Sequence, residues 1–224
     1  MRRRLILMRH GDVSYVDEAG EPVHPESVPL TRAGRDQAEA ARQALAGIAF
    51  DLVIASDLPR TLETAEVVAP GRKVELWPEL SEWRGGRLDA IPADELETQF
   101  VGALQVRDEA ARFLGGESLG EALDRVHPAF ERLLARGWDT ALAVLHGGVN
   151  RILISYALSG ERAYFGTFEQ APSCINVLDL GEDGWIVRTV NYVPYDPLHP
   201  ARETTMEQLW LQLKPFVDRL HEPS

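Results

Sequence analysis

The chain has 224 residues, 45% of them hydrophobic, with 23 Lys and Arg against 35 Asp and Glu for a net charge of −12. That balance excludes a general nucleic-acid or anionic-membrane surface, so a basic cluster here means a local pocket for a small anion. The single Cys174 excludes an intrachain disulfide, and the apolar run behind the N-terminal arginines is too short for a signal peptide or a membrane span. A cytoplasmic protein of one domain, residues 1–224, is the expectation, with oligomeric state left open.

Leu5–Met8 reads as a short strand ending in Arg9-His10-Gly11. Residues 12–29 follow as a polar loop with Gly20, Pro22, Pro25 and Pro29, long enough to suggest a lid over the end of that strand. Its Tyr15 and His24 are the candidates for substrate specificity, with Glu26 beside them. Thr31 is a plausible N-cap for a helix to about Ala46, with Ala38, Ala41, Leu45 and Ile48 at core spacing.

Leu52–Ala55 is a second buried strand, leading through Ser56-Asp57 to Arg60, with Asp57 expected to cap the next helix and Pro59 in its first turn. Lys73–Trp77 is a third strand, followed by the loop Glu79-Leu80-Ser81-Glu82-Trp83-Arg84-Gly85-Gly86. Residues 92–114 read as helical, within a segment 88–116 expected over the site, and Glu117 to about Arg136 as a further helix whose Asp124, Arg125 and Glu131 form a solvated face. Ala141–Leu145 is a strand ending at His146, and Gly147-Gly148 opens a helix whose amides face an anion. Ser173–Leu180 and Trp185–Tyr192 flank a hairpin turn, and an amphipathic helix runs from Glu203 to about Leu220.

Short, wholly apolar strands closed by polar residues are how a parallel sheet buried on both faces reads. Ligands bind beyond the carboxyl ends of such strands, so Arg9, His10, Arg60 and His146 converge on one pocket if the strands are neighbours. Two arginines and two histidines suit a phosphate group. Arg9 and Arg60 supply bidentate forks that stay cationic, and His146 adds a third donor. His10 is then the nucleophile, with its second ring nitrogen held by a carbonyl at the Gly11 turn. A departing alkoxide needs a proton, for which Glu82 and Glu79 are the candidate acids. No metal or other cofactor is expected, because Arg9 and Arg60 beside His10 repel a divalent ion.

An ordered series of motifs runs along the chain. It comprises Leu7-Met8-Arg9-His10-Gly11, Pro29-Leu30-Thr31 with Gly34 and Gln37-Ala38, Ser56-Asp57-Leu58-Pro59-Arg60-Thr61, Glu79-Leu80-Ser81-Glu82, Gly115-Gly116-Glu117-Ser118 and Leu145-His146-Gly147-Gly148. In this series the chain resembles the histidine phosphatase superfamily, also called phosphoglycerate mutase-like. The resemblance implies a three-layer α/β/α sandwich around a mostly parallel sheet and a phosphohistidine on His10. It also implies phosphate binding by Arg9, Arg60 and His146, proton transfer by Glu82, and no metal. Val13-Ser14-Tyr15-Val16 and Leu145 depart from common members. The leading expectation is hydrolysis of a small phosphomonoester. The alternatives are phosphoglycerate mutase-type phosphoryl transfer and a non-catalytic phosphate-binding module.

Overall fold

A computed structural model describes residues 2–17, 19–21 and 23–220, so Glu18 and Pro22 of the expected lid lie outside the described residues. Six strands, β1 (Arg3–Arg9), β2 (Leu52–Ala55), β3 (Glu75–Leu76), β4 (Thr140–Leu145), β5 (Ile175–Gly181) and β6 (Gly184–Tyr192), form a single sheet among these residues. Their spatial order is β3-β2-β4-β1-β5-β6. The neighbours β3, β2, β4 and β1 run parallel, while β5 pairs antiparallel with β1 and β6 antiparallel with β5. The helices are α1 (Arg32–Ala44), α2 (Pro59–Val68), α3 (Ala93–Val101), α4 (Leu119–Leu134), α5 (Gly147–Ser159) and α6 (Thr205–Leu220).

Alternate side chains of the apolar strands sort to opposite faces, and this builds the layers. Leu5, Leu7, Leu52, Ile54, Ala141, Ala143 and Leu145 pack with Val126 and Phe130 of α4 and Ile152 of α5. Ile6, Met8, Val53, Ala55, Leu142 and Val144 pack with Ala38 and Ala41 of α1 and Ala65 and Val68 of α2. The expected three-layer α/β/α arrangement results. A one-residue slip of β1 would exchange the two faces, so burial of both sets fixes the register.

That register sets the functional end of the sheet. Arg9 pairs with Leu145 and Ala55 with Val144, so His10, His146 and Ser56 leave the sheet side by side at its carboxyl edge. A third apolar cluster joins α3 and α6 through Phe100, Leu96, Trp210, Leu213 and Val217, and Tyr15 packs against it.

Several expectations change in detail. The helical stretch expected over 92–114 ends at Val101, because Gly102 caps α3 through its N–H to the Thr98 carbonyl, and the chain then turns back. The third strand shortens to Glu75–Leu76, which pair with Ile54 and Ala55 at the end of the short β2. Asp57 does not cap α2. Leu58 is the N-cap residue without a side-chain bond, and the Asp57 carboxylate instead accepts from the Ser81 hydroxyl. Arg125 is not on a solvated face. With Ala122, Val126 and Ala129 it follows the buried stripe of α4, and its side chain is 13% exposed. Thr31 caps α1 as expected, accepting from Gly34 N–H at 2.9 Å, and Ser118 and Glu121 form a capping box on α4.

Candidate active site

The turn after β1 is held by backbone and side-chain bonds that its glycine makes possible. Gly11 N–H donates to Thr64 Oγ1 at 3.0 Å, and that hydroxyl donates to the Arg60 carbonyl at 2.7 Å, strapping the turn to α2. A Cβ on Gly11 would meet the Gly34 carbonyl oxygen at 2.4 Å, so the turn lies backbone to backbone on α1. The Gly11 carbonyl lies 2.7 Å from His10 Nδ1. A carbonyl only accepts, so Nδ1 carries the proton and Nε2 is left with the lone pair in the neutral ring.

His10 is neutral because its surroundings oppose a charge. Burial pulls its pKa well below the usual imidazole value, and Arg60 and then Arg9 pull it further. His146 is lowered in the same way, by burial first, then by Arg60, His10 and Arg9. The two rings meet edge to face with centroids 5.3 Å apart. His146 Nε2 bonds Ser56 Oγ at 2.8 Å, and Ser56 Oγ bonds Thr61 Oγ1 at 2.9 Å.

Both arginines are anchored by one arm. Arg9 Nη1 donates to the Gln170 carbonyl at 2.6 Å, and Arg60 Nη1 donates to the Pro25 carbonyl at 2.6 Å. Three buried polar atoms of this cluster, Arg9 Nε, Arg60 Nε and His146 Nδ1, have no hydrogen-bond partner among the described residues. Buried polar groups are normally paired, so this cluster has the character of an anion site. The structure therefore brings together Arg9, His10, Arg60 and His146.

Glu82 belongs to the same cleft. Its carboxylate accepts from Trp83 N–H at 2.9 Å and from Gly148 N–H at 3.2 Å, which places it at the first turn of α5. Glu79, the other candidate acid, does not line the cleft. It pairs with Arg132 at 2.9 Å, and its own backbone N–H, followed by Arg132, holds its carboxyl below the usual range.

The cleft has a volume of about 750 Å³ and is lined at one end by Arg9, His10, Arg60 and Glu82. Tyr15, His24 and Glu26 border it from the 12–29 segment, where His24 is exposed and Tyr15 half-buried. Leu88, Phe100, Leu104, Phe113 and Leu114 of the 88–116 segment form another wall.

Residues without an assigned role in the sequence hold this arrangement. Arg125 donates to the carbonyls of Glu79 and Ser81 at 2.8 Å each, and pairs with Glu117 at 2.7 Å. It thereby fixes the loop that carries Glu82, and its place in the apolar stripe of α4 was the readable signal. Gln170, fully buried, bonds Asn150 and Asn176 and so steadies the carbonyl that holds Arg9. No sequence pattern marks it. Cys174 is buried, and burial pushes its thiol up to about 11, so it stays protonated at neutral pH.

Comparison with known proteins gives this geometry its relatives. The sequence model of a family described as "Histidine phosphatase superfamily (branch 1)" matches residues 5–193. A protein of Arabidopsis thaliana named "Probable 2-carboxy-D-arabinitol-1-phosphatase" is 27% identical over 207 residues, covering 88% of this chain and 43% of the plant protein. This chain thus spans less than half of that relative's length. A protein of Erwinia tasmaniensis named "Probable phosphoglycerate mutase GpmB" is 33% identical over 218 residues, covering 92% of this chain and 98% of the relative. Among solved structures, the alpha-ribazole phosphatase from Shigella flexneri matches with a TM-score of 0.62 at 25% identity, covering 84% of this chain and 96% of that one. Among the described residues, no helix is long and apolar enough to cross a membrane.

Proposed function

The chain belongs to the histidine phosphatase superfamily, and on that premise we propose that it hydrolyses a small phosphomonoester, without a metal, through a phosphohistidine on His10. The observation that carries this reading is the 2.7 Å contact of His10 Nδ1 with the Gly11 carbonyl, which leaves Nε2 as a neutral nucleophile between two arginines.

In the first step Nε2 bonds to phosphorus as the ester P–O bond breaks, and Glu82 gives its proton to the leaving oxygen. Arg9, Arg60 and His146 bind the equatorial oxygens, where charge stabilisation supplies most of the rate. In the second step a water oxygen attacks phosphorus, its proton passes to Glu82, and inorganic phosphate and free His10 are restored. On this reading 1–224 is one domain, 12–29 serves as a lid whose Tyr15 and His24 select substrates, and 88–116 roofs the pocket. A cytoplasmic setting and a small phosphorylated substrate, in place of a nucleic acid or membrane, accord with the net charge of −12.

A mutase reading draws on the relative named as a phosphoglycerate mutase. Incubation with radiolabelled phosphomonoesters in the presence of chelator, quenched rapidly in alkali, separates the readings. The expected result is an acid-labile label on the protein that is lost in His10→Ala, with free phosphate as product. Label passing to a second phosphoglycerate would establish the mutase, and a protein that neither labels nor turns over would be a binding module.

A further inference from the structure

Resting on the phosphatase reading, we infer that the natural leaving group is a bulky apolar alcohol, recognised by a hydrophobic wall that α3 and α6 build opposite the phosphate grip. A cleft of about 750 Å³ is far larger than a phosphate needs, and it falls in the range of pockets that bury a drug-sized ligand. Charged groups including Glu26, Asp57, Arg84 and Glu169 border it as well, but on the side of α3 and α6 its lining changes character. Phe100, Leu104 and Phe113 face it from the α3 side, and Met206, Leu209 and Leu213 from α6. Among the described residues this wall gives the cleft no charged side chain.

The wall is preformed. Phe100, Leu104 and Leu213 are buried, and Phe100 packs against Trp210 of α6 with the rings tilted by 43° and their centroids 5.7 Å apart. A sugar or glycerate leaving group would set hydroxyls or a carboxylate against these side chains without partners, which is unfavourable. Beyond the phosphate grip two cations among the described residues line the cleft, the solvent-exposed Arg84 and the buried Arg151, and the buried one is already engaged. Arg151 donates Nε to the Phe168 carbonyl and Nη1 to the Gly147 carbonyl, both at 3.0 Å, and faces Glu169 at 3.9 Å. It is not arranged to take a substrate carboxylate.

A series of n-alkyl phosphates from ethyl to hexyl tests this. Beyond ethyl the leaving-group chemistry is nearly constant, so the slope of kcat/KM with chain length reads burial alone. We expect a rise of roughly three- to fourfold per methylene, and propyl phosphate turned over at least about tenfold better than glycerol 3-phosphate of the same length. In Leu209→Asn and in Met206→Gln the slope should flatten, whereas a loss of general packing would lower every substrate alike and leave the slope intact. A flat or falling series in the wild type, with ethyl phosphate still hydrolysed, overturns the inference and leaves the phosphatase reading standing. A rising series unchanged in both variants overturns the assignment to this wall. No turnover of any alkyl phosphate or of 4-nitrophenyl phosphate overturns both readings together.

Discussion

Ser56 Oγ lies 2.8 Å from His146 Nε2, a bond that joins the carboxyl ends of β2 and β4 across the site. Among the described residues His146 Nδ1 has no hydrogen-bond partner, so this bond, beside the edge-to-face contact with His10, orients the ring. Ser56→Ala leaves a buried ring nitrogen unpaired, at about 1–3 kcal/mol. The expected outcome is a fall in kcat of about tenfold or more with a modest loss of stability. Steady-state kinetics beside a urea melt checks it, and an unchanged kcat would mean that packing alone holds the ring.

Gly148 sits where α5 meets Glu82, and a Cβ there would lie 2.7 Å from Glu82 Oε1. The atom in the way is the end of a flexible side chain, so Gly148→Ala should fold normally while Glu82 swings out of place. A displacement of about 1 Å can cost on the order of 100-fold in rate. The prediction is a large loss of kcat on esters with poor leaving groups and a smaller one on 4-nitrophenyl phosphate, which needs little protonation. Equal losses on both would show that Glu82 is not the proton donor.

Arg125 and Glu117 form a pair 13% and 10% exposed beneath the loop that carries Glu82. Burial, the largest single influence, would raise the Glu117 carboxyl, but Arg125 and the Arg84 N–H together outweigh it and hold the carboxyl below the usual range. Glu117→Ala leaves Arg125 buried without its counter-charge and is expected to cost about 3–5 kcal/mol. Arg125→Met in the same background removes the stranded charge and should recover part of that loss. Chemical denaturation of the single and double variants measures both, and a double variant less stable than Glu117→Ala would count against the argument.

The neutral histidines make stability depend on pH. In the unfolded chain an imidazole protonates near about pH 6.5, whereas His10 and His146 in the fold resist protonation until well below that. Below about pH 6.5 the unfolded chain therefore binds more protons, and stability falls with pH by up to about 1.4 kcal/mol per unit for each ring. Thermal melts from pH 7.5 to about pH 5 should show this decline, and it should be shallower in His10→Asn. Above about pH 6.5 the two rings contribute no slope. Melts that do not change between pH 7.5 and 5 would contradict the neutral assignment.

What the sequence by itself determined lies in local pattern. Apolar runs closed by polar residues mark β1, β2 and β4, and the residues that close them, Arg9, His10 and His146, are the ones at the site. Thr31 marks a helix start because capping is a contact three residues long, whereas the helix expected from Glu117 begins at Leu119 with Ser118 as its cap. Convergence was the work of tertiary structure. The parallel register that sets His10 beside His146 comes from sorting side chains to two faces at once, a property of the assembled sheet. The resemblance already pointed to Glu82 over Glu79; what the tertiary structure adds is that Glu82 lines the cleft, Glu79 does not, and Arg125 holds the loop between them by donating to the Glu82 carbonyl. The apolar wall that α3 shares with α6 depends on contacts between residues as far apart as Phe100 and Trp210, which no short window of sequence contains.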